Sequence, residues 1–147
     1  KINRMKNIGI GGDHAGVEYK NEIIPYLEGL GFKVTDFGPN STDSVDYPDY
    51  IHPMASKVEA GELDLAIAIC GSGNGVCMTA NKHQGIRAAL TWNSELAALA
   101  RQHNNANVIC IPARFVDFDL AKEMVKVFLE TDFEGGRHQK RVDKINC

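Results

Sequence analysis

Long apolar runs, paired cysteines and an excess of positive charge are all missing from this sequence. No apolar run approaches the roughly 18–20 residues that cross a bilayer, so we expect no membrane partner. The formal net charge is −3 and the pI is near 5.9, which argues against nucleic acid as a partner. The four cysteines form no Cys-x-x-Cys pair, and no apolar signal core follows residues 1–6. These absences predict free thiols and a cytoplasmic protein.

Nucleotide and metal signatures are missing as well. No Gly-Lys-Ser/Thr follows the glycine-rich stretch at 71–75, so a Walker A loop is absent, and its spacing does not fit a dinucleotide fingerprint. The five histidines are dispersed along the sequence, with His52 and His83 expected on the surface or in loops. No Cys/His pair has zinc-site spacing, so we expect no metal and no cofactor.

What the sequence does contain fits a single domain over residues 1–147. Its hydrophobic content is 44% and its charged content 24%, both ordinary for a globular protein. A chain near this length buries roughly 68–70% of its unfolded surface, which is enough for a core without disulfides.

Short apolar runs alternate with helical patterns along the whole chain. Residues 63–70 are nearly all apolar, as expected for a strand buried on both faces. Asn93 and Asp117 are suited to cap the fourth and the last long helix, and Pro25 predicts a kink or late start in the first. The predicted strands are 6–11, 32–37, 63–70, 86–90 and 107–111, and helices are predicted over 15–30, 48–60, 75–81, 94–103 and after Asp117. This alternation predicts a Rossmann-like, doubly wound α/β fold, with a five-stranded parallel sheet and helices on both faces.

Such sheets bind ligands beyond the carboxyl ends of their strands, where this chain carries a cysteine and a glycine loop. Gly71, Gly73 and Gly75 let main-chain N–H groups turn toward an anion, although a plain tight turn would also explain them. Cys70 precedes this loop. Facing N–H groups would favour its thiolate as a base or nucleophile, whereas the alternative is a small buried apolar residue. Cys77 and Cys110 are predicted to be core residues.

Polar residues elsewhere offer further candidates, each with a structural alternative. Asp13 and His14 follow the first strand and could contact sugar hydroxyls or phosphate, although Asp13 could simply cap the next helix. His103 ends the fourth helix, where it could merely offset the helix dipole. Gly135 and Gly136 are expected to break the last helix. Arg137 and Arg141 follow one helical turn apart, suited to a phosphate or to a solvated basic tail.

Six short motifs follow one another along the chain in an order that matches a known family. Together they resemble the type B ribose-5-phosphate isomerase family, which also contains the galactose-6-phosphate isomerase subunits. The resemblance covers the chain from about Lys6 to Arg141. Its motifs are Gly12-Asp13-His14-Ala15-Gly16, Asp46-Tyr47-Pro48-Asp49, Cys70-Gly71-Ser72-Gly73-Asn74-Gly75, Ala80-Asn81-Lys82, His103-Asn104-Asn105-Ala106-Asn107 and Arg137-His138.

The resemblance implies a metal-free aldose–ketose isomerase, a homodimer or tetramer whose active sites use residues of two subunits. Cys70 would be the base, Ser72 and the amides of Gly71, Gly73, Asn74 and Gly75 would hold the enediolate oxygen, and Asp13 and His103 would assist ring opening. Tyr47 and Asn104 would contact the sugar, and His14, Arg114, Arg137 and Arg141 the phosphate. The basic tail, about 135–147, would reach the partner. Some family members carry a glutamate base at the position of Val76, which cannot accept a proton, so this chain resembles the cysteine-base branch.

Three functions remain to be weighed. The leading one is interconversion of ribose 5-phosphate and ribulose 5-phosphate, with allose 6-phosphate or galactose 6-phosphate as alternative substrates. The second is a non-catalytic sugar-phosphate binding protein on the same fold. The third, a nucleotide-binding domain, is disfavoured by the glycine spacing and by the missing ribose-binding acid.

Overall fold

Strands and helices alternate along the chain, as the sequence pattern predicted. The computed structural model describes residues 5–147. The strands are β1 Asn7–Gly12, β2 Lys33–Asp36, β3 Leu65–Cys70, β4 Ala88–Leu90 and β5 Val108–Pro112. The helices are α1 Val17–Gly29, α2 Pro48–Glu59, α3 Asn74–Ala80, α4 Ser94–Asn104, α5 Phe118–Glu130 and α6 Arg137–Val142, with a short 3-10 helix at His14–Gly16.

The five strands form one sheet in the order β2-β1-β3-β5-β4, and every neighbouring pair is parallel. This confirms the doubly wound fold. The chain leaves β1 toward one edge of the sheet and leaves β3 toward the other edge. The topological switch point therefore lies between the carboxyl ends of β1 and β3, where open α/β sheets bind ligands.

Helices cover both faces of the sheet. One apolar cluster joins alternate strand residues such as Ile67 and Ile69 to α1, α4 and α5. The second joins Ala66, Ala68 and Cys70 to α2 and α3. All six residues of β3 are buried, as predicted for a central strand. Because side chains alternate between faces, Cys70 lies on the α2 and α3 side. None of the described helices is both long enough and apolar enough to span a membrane.

Helix starts follow the expected chemistry, with one difference. Asn93 and Asp117 accept hydrogen bonds from Leu96 N and Leu120 N, which confirms both predicted caps. The first helix begins at Val17, two residues later than predicted, because the residues before it form the 3-10 helix, and Pro25 lies inside the helix.

The predicted role of the glycine pair near the end of the chain is wrong. Helix α5 ends at Glu130, and Thr131 is already extended, with φ −99° and ψ 131°. The Thr131 hydroxyl donates to Val127 O (2.6 Å) and so bonds to the last turn of the helix. Gly135 and Gly136 both have positive φ and instead lead into α6.

Candidate active site

Cys70 ends the central strand and faces a main-chain amide. Its Sγ accepts a hydrogen bond from Gly73 N at 3.2 Å, and only 4% of the residue is exposed. Gly73 reaches this position with a φ of +76°, a left-handed conformation that favours glycine. Ser72 Oγ accepts from Asn74 N (3.2 Å), where α3 begins. The loop therefore places one main-chain amide on the thiol and a serine hydroxyl at the start of the next helix.

Two glycines of the loop leave room for side chains to lie against the backbone. A Cβ on Gly75 would sit 2.7 Å from Tyr47 Cε1, and a Cβ on Gly71 would sit 3.2 Å from Arg114 Nη1. A phenol and a guanidinium therefore both approach the loop closely. This close approach explains why both positions are glycine, whereas from the sequence a plain tight turn was an equally good explanation.

A cavity of about 420 Å³ opens beside the thiol, at the switch point between β1 and β3. Its volume is in the range of small-molecule sites. It brings together seven residues proposed from the sequence and adds an aromatic one. The lining residues are Asp13, Tyr47, Cys70, Gly71, Ser72, Gly75, Arg114 and Phe115. Its lining combines a carboxylate, a thiol, a phenol and a guanidinium, a set suited to a polar anionic ligand.

Asp13 and His14 both make structural contacts. Asp13 Oδ1 accepts from Ala15 N at 2.9 Å, so this carboxylate caps the 3-10 helix and also lines the cavity. The two alternatives weighed from the sequence are therefore compatible. His14 Nδ1 accepts from Val45 N at 3.3 Å, which links the imidazole to the loop after β2. Asn74 lines an adjoining cavity of about 260 Å³ together with Ser72 and Trp92.

Four other candidates lie at the opposite edge of the sheet. Helix α4 runs from the carboxyl end of β4 back to the start of β5, so its last residues lie near the amino ends of these strands. The bond from Glu134 N to Gln102 O (3.0 Å) brings the segment before α6 to the same place. Within the described chain, the cavity beside Cys70 is therefore not lined by His103, Asn104, Arg137 or Arg141. Arg137 and Arg141 lie on one short helix, as their spacing predicted.

The histidines are not dispersed in space, in contrast to what their spacing suggested. The rings of His103 and His138 stack with centroids 4.3 Å apart, and His52 Nδ1 lies 2.7 Å from His83 Nε2. Pairs formed by residues 31 and 35 positions apart depend on tertiary folding, so sequence spacing could not predict them. Desolvation lowers the pKa of His138, and the charges of His103 and Arg137 add to this.

None of the remaining cysteines lines the cavity beside Cys70. All four thiols are free. Burial raises the pKa of Cys110, which lies fully inside, whereas a hydrogen bond with Cys110 lowers the pKa of the half-buried Cys77. Cys77 therefore contacts the core without being enclosed by it, and Cys147 is exposed.

Phe115 is the cavity residue that sequence reasoning missed. It follows Arg114 in the turn after β5, and 76% of its surface is exposed. Trp92, 55% exposed, follows β4 and lies near it in the adjoining cavity. The position of Phe115 in the turn after a strand was the signal that could have found it.

A parallel sheet with a thiol, an amide loop and a polar cavity at its switch point defines a Rossmann-like protein with a small-molecule site. The chain belongs to the ribose/galactose isomerase family, whose family model matches residues 8–145.

Individual relatives match over nearly their whole length. A probable ribose-5-phosphate isomerase B of Mycoplasma genitalium is 50% identical over 95% of this chain and 93% of its own. Ribose-5-phosphate isomerase B of Escherichia coli is 44% identical, with 97% and 96% covered. The crystal structure of the Mycoplasma genitalium isomerase with bound ribulose 5-phosphate has a TM-score of 0.93 at 48% identity, with 97% and 95% covered.

Proposed function

We propose that this protein interconverts ribose 5-phosphate and ribulose 5-phosphate, with Cys70 as the general base and without a metal cofactor. The observation that carries the proposal is the Cys70 thiol, hydrogen-bonded to Gly73 N beside a polar cavity. A relative at 48% identity holds ribulose 5-phosphate, which supports a five-carbon substrate.

The reaction moves one proton between neighbouring carbons of the open-chain sugar. The Cys70 thiolate takes the proton from C2 of the aldose, the C2–H electron pair forms the C1=C2 bond, and the carbonyl oxygen becomes an enediolate. Protonation at C1 by the same thiol, with transfer of the hydroxyl proton from O2 to O1, gives the ketose. A positioned base contributes roughly 10²–10⁴-fold to such a step.

Main-chain donors hold the charge that develops on oxygen. Gly73 N donates to the thiol, Asn74 N donates to Ser72 Oγ, and the amides of Gly71 and Gly75 belong to the same loop at the start of α3. Preorganised donors of this kind are worth about 3–4 kcal/mol each to a transition state. Tyr47 and Asp13 contact the sugar from the cavity wall, and Arg114 binds its phosphate. His14, which lies outside the cavity lining against Val45 N, is the second phosphate ligand of the proposal.

A second copy of the chain completes the site. His103, Asn104, Arg137 and Arg141 are proposed to open the ring and bind sugar and phosphate, yet they lie at the sheet edge opposite Cys70. A two-fold arrangement that places the remote set of one copy at the cavity of the other completes both sites at once, since each copy offers both sets. We therefore assign a homodimer, or a tetramer built from such dimers, with the basic tail reaching the partner.

The base is tested by replacing each of two cysteines. Cys70→Ala removes the proton acceptor, so we expect ketose formation from ribose 5-phosphate to fall by about 10²–10⁴-fold. Cys147→Ala is the matched control, because that thiol is exposed at the chain end and its loss should leave the rate unchanged. In D₂O the wild-type product should gain solvent deuterium at C1. Full activity of Cys70→Ala would refute the assigned base.

Relatives of this chain suggest more than one length for the carbon chain of the sugar phosphate substrate. A relative from Pectobacterium atrosepticum, 40% identical, is named D-erythrulose-4-phosphate isomerase. A four-carbon substrate is thus a second candidate beside the six-carbon phosphates. Comparing kcat/KM for four-, five- and six-carbon aldose phosphates decides among them, and we expect the pentose to be preferred.

A further inference from the structure

We propose that His103, Glu134 and His138 form a binding site for a late first-row transition-metal ion such as Zn²⁺. Glu134 Oε1 lies 3.5 Å from His138 Nε2 and 3.9 Å from His103 Nε2. The three ligand atoms lie within 4.8 Å of one another. Ligands about 2.0–2.1 Å from a tetrahedral Zn²⁺ stand roughly 3.3–3.4 Å apart, so the His138–Glu134 pair already has nearly the required spacing and His103 must move closer.

The backbone holds the three ligands in place from separate segments. Glu134 N donates to Gln102 O (3.0 Å), which ties the segment before α6 to the last turn of α4, beside His103. His138 lies in the first turn of α6, where its N donates to Gly135 O at 3.0 Å. Because these bonds are main-chain bonds, the ligand arrangement does not depend on flexible side chains alone.

One ring must turn for both nitrogens to face the same ion. The two imidazoles stack at an interplanar angle of 13°, so their in-plane lone pairs point in parallel rather than toward one point. The side chain of His103 is 40% exposed and has room to turn, whereas that of His138 is 10% exposed and fixed. Metal binding therefore opens the stack by moving His103.

The donor set and local charges select the class of ion. Two imidazoles and one carboxylate are a set that zinc accepts, with water as fourth ligand, whereas Mg²⁺ and Ca²⁺ need oxygen ligands. Arg137 and Arg141 oppose a cation nearby, and Glu134 offsets them.

The site has a consequence that rests on the proposed function. His103 cannot hold a metal ion and assist ring opening at the same time. The ion therefore acts as an inhibitor of the isomerase, distinct from a catalytic cofactor.

Binding is tested with Co²⁺ and Zn²⁺ on the chelator-treated full-length protein. Co²⁺ should give a visible absorption spectrum typical of nitrogen and oxygen ligands, and calorimetry with Zn²⁺ should show one strong site per chain. Glu134→Gln and His138→Asn should each weaken the affinity by at least about tenfold. Glu130→Gln is the matched control, since that carboxylate pairs with Lys126 on the surface of α5. His83→Asn removes the competing pair with His52 and should leave the strong site intact.

The outcomes separate this inference from the proposed function. Absence of Co²⁺ binding, unchanged affinity in both ligand variants, or loss of the site in His83→Asn would overturn the metal site. Zn²⁺ should inhibit ribose 5-phosphate isomerisation by the wild type, and the inhibiting concentration should rise at least about tenfold in Glu134→Gln. A wild type that binds Co²⁺ but never isomerises would refute the function and leave the site standing.

Discussion

At the scale of single residues, Lys20 is the most unusual feature outside the site. It is 1% exposed, and its ammonium donates to Asp36 Oδ2 at 2.8 Å and Asn40 Oδ1 at 3.1 Å. Asp36 Oδ1 also accepts a hydrogen bond from Gly38 N, and the carbonyl of Gly38 accepts one from Gly12 N. A buried charge therefore fixes the loop after β2 against the end of β1, beside the cavity.

Removing the carboxylate partner should destabilise the fold. Asp36→Ala leaves the Lys20 ammonium buried without its counterion, so we expect a loss of about 2–4 kcal/mol in the free energy of unfolding by urea. Lys20→Met, which removes the charge and keeps the volume, should cost less. Asp43→Ala in the exposed part of the same loop is the control. Equal losses for Asp36→Ala and Asp43→Ala would contradict this account.

Residues next to strand ends were predictable, and those paired by tertiary contacts were not. Cys70 and the glycine loop follow a strand whose apolar pattern is unmistakable, so the switch-point rule was enough to find them. Phe115 also lies in the turn after a strand, but its exposed aromatic side chain has no polar group or periodic pattern that marks it as a site residue. The stacking of His103 on His138 depends on the path by which residues 131–136 bring the chain back to the end of α4, and the local sequence does not predict that path.

At the scale of elements, a carboxylate joins the end of α2 to the connection after α3. Glu59 Oε2 accepts from Gly85 N (2.8 Å), and Glu59 Oε1 lies 2.9 Å from His83 Nδ1. These bonds lower the pKa of Glu59 below its ordinary value of 4.5, and the bond from Gly85 N has the larger effect. The folded state thus binds the ionised form of this side chain more tightly than the unfolded state does.

The pH dependence of stability follows from that shift. A lowered carboxyl pKa contributes stability that is fully present above 4.5 and is lost as pH falls through the folded value. Glu59→Gln should therefore be less stable than wild type at neutral pH, and the difference should shrink in acid below 4.5. Thermal unfolding across this range measures it, with Glu62→Gln as the exposed control. A difference independent of pH would contradict the assignment.

Element identities could be predicted better than element boundaries. Apolar periodicity found every strand and the five longer helices because burial imposes it. The start of α1 was misplaced because a 3-10 helix shares the helical pattern, and the end of α5 was misplaced because glycine seemed the stronger stop signal. The helix ends because Thr131 has an extended backbone, and a threonine residue does not by itself predict a helix end.

At the scale of the whole molecule, the alternation of strands and helices places the candidate site residues in two groups at opposite edges of the sheet. Every helix that follows a parallel strand returns to the amino edge, so residues that end helices lie far from those that end strands. This places His103 away from Cys70 even before strand order is known. The order β2-β1-β3-β5-β4 was not predictable from the pattern, because alternation fixes crossover handedness but not which strands neighbour each other.

The proposed dimer with shared sites predicts that two inactive variants restore each other's activity. Cys70→Ala keeps His103, and His103→Asn keeps Cys70, so a mixed dimer contains one intact site. After refolding together in equal amounts, half of the dimers are mixed and we expect about a quarter of wild-type activity, measured as ketose formation. Cys70→Ala mixed with Asp13→Asn is the control, because both residues line the cavity of one chain and no site is restored. If the first mixture stayed as inactive as the second, each site would have to be complete within one chain.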